Sequence, residues 1–105
     1  MQKTGDRIGA VLSASDGVVK LLGYGVYAGD EVPPRDGGWM AECLNDAGAT
    51  NPKLVLDNGQ VVWGCQCWWG SESATRERFK GYRVESVVMA DVLAEKSATQ
   101  PSEEG

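Results

Sequence analysis

Cys65-Gln66-Cys67 sets two thiols one residue apart, and Cys43 supplies a third. Thiolates hold zinc, but a structural zinc site takes four ligands, usually from two CxxC-like pairs. Here the pair is tighter and single, so a fourth ligand would have to be a carboxylate. On one face of a strand the two thiols would also stand too far apart for an unstrained disulfide. The favoured reading of Cys65 and Cys67 is two small, polarizable core residues between Trp63 and Trp69. A zinc domain using Cys43, Cys65 and Cys67 is the alternative.

The 105 residues include no histidine. That removes the commonest general acid–base group, and with it Ser-His-Asp and Cys-His nucleophile arrangements. Carboxylates, tyrosines and lysines are present, but no pair stands at a telling spacing. Gly23-Tyr24-Gly25 resembles neither a P-loop nor a dinucleotide fingerprint, since no Gly-Lys-Ser/Thr follows and no strand-to-helix crossover is legible. A non-enzymatic protein without a cofactor is the expectation.

What remains is recognition chemistry. In Trp68-Trp69, strand alternation that turns Trp69 inward turns Trp68 toward water or a partner. An exposed indole near Gly-rich backbone is a platform for planar ligands and for proteins. Tyr24, Tyr27, Asp30 and Glu31 join Trp68 as candidate ligand-binding residues. Arg76, Arg78, Lys80 and Arg83 form the one basic cluster, interleaved with Glu72, Glu77 and Glu85. Mixed charge of this kind is most simply a solvated face, and Arg76 and Arg78 are its candidate anion contacts.

These residues need a scaffold. Arg7 to Ala14 and Val18 to Tyr27 read as strands joined at Asp16-Gly17, a hairpin dipeptide. The second run is apolar apart from Lys20, which suits a central strand, and its Gly23 and Gly25 predict a bend, a bulge or a close backbone approach. Gly29 to Gly38 has loop composition. Asp36 to Ala47 predicts a short helix with Trp39, Met40, Cys43 and Leu44 on one face, closed by Gly48. Lys53 to Leu56 and Gln60 to Trp69 read as a hairpin around Asp57-Asn58-Gly59, with odd positions 61 to 69 facing the core. Ser71 or Ser73 caps a helical turn through Phe79, and Gly81 ends it. Tyr82 to Met89 is a last strand, and Ala90 to Lys96 either extends it or forms a stub of helix.

The fold class expected is mostly β: a small antiparallel SH3-like barrel, or a strongly bent sheet, with one or two short helices. Residues 1–96 form one domain, and 97–105 read as a disordered acidic tail. Fourteen glycines and four tryptophans fit tight turns around a few large side chains. A net charge of −5 argues against nucleic acid as the main partner. An SH3-like module contacting RNA through Arg76, Arg78, Lys80 and Arg83 is kept as an alternative. No signal peptide or membrane span is legible, and an odd number of cysteines points to reduced thiols in a cytoplasm.

The runs GYGVYAGDEVPP (Gly23 to Pro34) and NPKLVLDNGQVVWGCQCWWG (Asn51 to Gly70) resemble a family of small bacterial and phage proteins that carries no established activity. The resemblance covers roughly the first 70 to 90 residues and implies a setting, a compact cytoplasmic accessory protein, without any site residues to transfer. The expectation is thus a binding module for a protein or a small-molecule ligand, acting as an inhibitor or by sequestration. Free sheet edges also make a homodimer an open expectation.

Overall fold

The computed structural model describes residues 3–99. Strand β1 (Arg7–Ser15) and strand β2 (Val18–Glu31) form the first hairpin. Its turn residues Asp16 and Gly17 have φ of 53° and 75°, the paired positive values of a type I′ turn. Helix α1 (Trp39–Ala47) follows, then strands β3 (Asn51–Leu56) and β4 (Val61–Trp63) around the expected Asp57-Asn58-Gly59 turn. A 3₁₀ turn (Gly64–Gln66) leads to β5 (Trp68–Ser71) and helix α2 (Glu72–Arg78). Strand β6 (Arg83–Ser86) and helix α3 (Met89–Thr99) complete the order.

The result is the expected β-rich domain, with three short helices rather than one or two. The sheet runs β4-β3-β2-β1-β5, all antiparallel, and β6 lies parallel to Val18–Leu21 of β2. Tyr82 to Met89 is therefore not one strand. β6 stops at Ser86, and Met89 opens α3, where its N–H is taken by the Gln60 side chain at 2.8 Å. Ser97 to Thr99, expected in the tail, lie in α3. The rest of the expected tail, from residue 100, lies outside the described residues.

Nor is Gln60 to Trp69 one strand. Val61, Val62 and Trp63 pair with Val55, Leu54 and Lys53, and then side chains intercept the backbone. Gln66 Oε1 accepts the Trp63 N–H at 2.9 Å, and Asn51 Oδ1 accepts the Cys65 N–H at 2.7 Å. Such local bonds compete with the ladder and wind the chain into the 3₁₀ turn. The alternation of odd positions fails with it. Val62 is fully buried opposite Leu54, while Val61 is 46% exposed.

That turn also shapes the sheet. In a flat sheet β4 and β5 would stand four strand spacings apart, roughly 19 Å. The link Gly64 to Cys67, largely 3₁₀, reaches only roughly 14 Å. The sheet must curl to let the chain cross, although β4 and β5 share no ladder among the described residues.

Inside the curl lie Ile8, Ala10, Leu22, Leu54, Leu56, Val62 and Met89, with Tyr27, Trp69 and Leu93 packed against them. The β1–β2 register shifts on either side of Val11. The Leu22 carbonyl at this bulge is taken by the side chains of Asn58 (2.9 Å) and Gln60 (3.0 Å). At Gly25 the approach is closer still: an added Cβ would lie 2.1 Å from the Val55 carbonyl oxygen. Both consequences expected of Gly23 and Gly25 are present. Helix α1 is turned from its expected face. Its buried residue is Ala41, whereas Trp39, Met40 and Cys43 are exposed. Asn45 Nδ2 donates to the Pro33 carbonyl at 2.9 Å and Gln66 Nε2 to the Gly37 carbonyl at 2.9 Å, and these bonds fix the helix's rotation.

Candidate binding face

Helix α2 lies on the outer face of the sheet because the sheet is bare there. A Cβ on Gly9 would come within 2.8 Å of Thr75, the buried residue of α2, so the helix seats on a strand that has no side chain at that point. Thr75 returns its hydroxyl to the Ser71 carbonyl at 2.8 Å. Ser71, one of the two expected caps, accepts the Ala74 N–H at 3.2 Å. Glu72 in the first turn and Arg76 and Arg78 in the last complement the helix dipole.

The seated helix gathers an aromatic and arginine patch. Trp68 meets Phe79 edge-to-face at 5.9 Å, and Phe79 meets Tyr82 in the same way at 5.3 Å. Arg76 stacks over the Tyr24 ring at 4.0 Å, and Arg78 stands over Phe79 at 5.6 Å. Between them opens a cavity of about 270 Å³, lined by Val19, Leu21, Tyr24, Phe79 and Tyr82 among others. Trp68 remains 45% exposed and Val84 54%.

Ion pairs brace one side of the patch. Arg7 bonds Asp57 with both terminal nitrogens (2.9 and 2.6 Å) and Glu72 with Nε (2.9 Å), and Arg76 bonds the other Glu72 oxygen at 2.6 Å. Arg7 holds the Asp57 carboxyl below its usual range, and Arg7 with Arg76 does the same to Glu72.

The candidate residues thus divide. Tyr24, Trp68, Arg76 and Arg78 share the outer face, and Tyr27, Asp30 and Glu31 do not. Tyr27 stacks on Trp69 at 5.5 Å against the core and donates its hydroxyl to Asp30 at 2.5 Å, a bond that raises its pKa. Glu31 at the end of β2 pairs with Lys53 at 3.3 Å. Phe79 and Tyr82 were missed in sequence. Their signal was the i, i+3 spacing across Gly81, which brings Tyr82 against Phe79, itself packed on Trp68.

The cysteines are free thiols: Cys43 exposed on α1, Cys65 on the 3₁₀ turn and Cys67 just before β5. Burial raises both the Cys65 and the Cys67 thiol, and Cys67 is pushed up to about 12. Among the described residues no three His, Cys, Asp or Glu side chains gather as a metal would need. Among the described residues no helix is long and apolar enough to cross a membrane.

A second concavity, a cleft of about 510 Å³, lies between the start of α1 and α3. Leu12, Met40, Leu93 and Cys65 line it, and Trp39 stands 72% exposed beside it. No family model, curated protein or solved structure matches the chain.

Proposed function

We propose that the protein is a non-enzymatic binding module, SH3-like in its sheet, that holds a partner against the outer face formed by Trp68, Tyr24, Phe79 and Tyr82 with Arg76 and Arg78. The observation carrying this reading is the edge-to-face chain Trp68–Phe79–Tyr82, kept half in water and flanked by arginines. Trp, Tyr and Arg are the residue types that dominate interface energetics, and exposed apolar patches rimmed by polar groups mark interaction sites. The SH3-like assignment is supported by the strand order and by the 3₁₀ turn between β4 and β5. A cytoplasmic setting suits three free thiols.

Comparing what wild type, Trp68→Ala and Trp39→Ala retain from a bacterial lysate tests the proposal. Proteins lost with Trp68→Ala and kept with Trp39→Ala support it, at a cost of about 2 kcal/mol in affinity for a hot spot. Equal retention by all three sinks it. Trp68→Ala should lower stability far less than Trp69→Ala, whose ring stacks on Tyr27.

A small-molecule partner is the second reading, and it favours the other concavity. Ligand pockets span roughly 300–1,000 Å³, and the cleft of about 510 Å³ beside Trp39 falls within that range. Native mass spectrometry of gently purified protein decides it: an excess mass lost on denaturation supports a ligand, and a bare chain opposes one.

A further inference from the structure

We infer that the outer face takes an acidic peptide segment of a partner protein, its carboxylates meeting Arg78 and Lys80 and one apolar side chain entering the cavity between Tyr24, Phe79 and Tyr82. This deepens the proposed binding role and rests on it.

Within the basic cluster of Arg76, Arg78, Lys80 and Arg83, the ion pairs single out those two cations. Arg76 is bound to Glu72 at 2.6 Å and Arg83 to Glu85 at 3.0 Å. Neither Arg78 nor Lys80 has a carboxylate within ion-pair distance among the described residues, Glu77 beside them included. Arg78 stands over the Phe79 ring with its donors unclaimed by any acid among the described residues. Unspent guanidinium donors on an aromatic surface suit a carboxylate, which accepts two parallel bonds.

The wider charge distribution points the same way. The chain carries −5, whereas the segment from Glu72 to Glu85 holds four cations against three carboxylates. An acidic partner is repelled by the molecule as a whole and admitted at this face, which orients the encounter.

The cavity between Tyr24, Phe79 and Tyr82 is small, about 270 Å³. It suits one anchoring side chain of a larger partner, whose remaining contacts spread over Trp68 and Val84, both exposed.

Fluorescence anisotropy with three labelled probes tests this: a short glutamate-rich peptide with a central leucine, the same peptide with lysines for glutamates, and an oligouridylate. The full-length chain should bind the acidic peptide and ignore the lysine one. Arg78→Glu with Lys80→Glu should weaken that binding at least about tenfold, and Trp68→Ala should weaken it comparably. Because charge reversal at the end of α2 can disturb the helix, Arg78→Gln with Lys80→Gln serves as the milder pair, and urea melts verify that each variant folds. Equal binding of both peptides, lost in Trp68→Ala, overturns the acidic assignment and leaves the binding face standing. Preference for the oligouridylate overturns it in favour of nucleic acid. Acidic-peptide binding indifferent to all these variants, or no binding by any probe, overturns the inference. The lysate comparison with Trp68→Ala then judges the face separately.

Discussion

Gln60 reaches across the sheet to Leu22, donating from Nε2 to the carbonyl that the β2 bulge leaves without a ladder partner, at 3.0 Å. The same amide group holds the start of α3, its Oε1 accepting the Met89 N–H at 2.8 Å. One side chain on the β3–β4 hairpin thus satisfies backbone groups on two other elements. Part-buried backbone groups left without partners are costly, so this single amide ties hairpin, central strand and C-terminal helix together.

Gln60→Ala is expected to lower stability by about 2 kcal/mol, within the range for stranding buried polar groups. Asn58→Ala should cost less, because Gln60 still reaches the Leu22 carbonyl. Urea melts give the stabilities. Hydrogen exchange should show the amide of Met89 losing protection in Gln60→Ala and keeping it in Asn58→Ala.

Gly25→Ala is expected to be worse than Gly9→Ala. A Cβ at Gly25 would strike the backbone of β3, which cannot yield without breaking the ladder. A Cβ at Gly9 would strike the side chain of Thr75, on a helix that can shift outward. Overpacking usually costs about 1–3 kcal/mol, and Gly9→Ala should fall there. Gly25→Ala should exceed it or abolish cooperative unfolding, as denaturant titration will show.

The chain should lose stability in alkali through Cys67. Its thiol is raised by burial first and by neighbouring Cys65 second. The neutral thiol's contribution is complete below the unfolded value, roughly 8.5, and is lost as pH rises toward the folded value of about 12. Urea midpoints between about pH 8 and 11 should fall more steeply for wild type than for Cys67→Ala. Iodoacetamide at mild pH should label exposed Cys43 first and Cys67 last.

In acid the relevant groups are Asp57 and Glu72. Arg7 lowers both, so the stability they add is present above their unfolded values, near 4, and is lost as pH falls through the lower folded values. Arg7→Met should flatten the acid limb of the stability profile below about pH 4. These pairs are largely exposed, so added salt should shrink the difference between the two proteins.

Local chemistry was legible in the sequence where neighbouring residues settle it. Asp16-Gly17 and Asp57-Asn58-Gly59 marked their turns, with positive φ at Asp16, Gly17 and Gly59, and Ser71 marked its cap. The outward turn of Trp68 was expected from alternation along Gln60 to Trp69. The 3₁₀ turn breaks that run, and within β5 Trp68 is exposed while Trp69 packs against the core. What could not be read depended on distant partners. Gln66 and Asn51 convert an apparently continuous strand into a 3₁₀ turn, and only their bonds to Trp63 and Cys65 reveal it. Phe79 and Tyr82 joined Trp68 only once Thr75 had found Gly9.

Strand β2 has β1 along one side and both β3 and β6 along the other. Opening of any of those three neighbours alone leaves β2 held by the other two. Its central amides should be released only when the whole domain opens, so their exchange with deuterium reports the global unfolding free energy. The brief edge strands β4, β5 and β6 should exchange sooner, giving the molecule a still spine with a restless margin, and Trp68 sits on that margin.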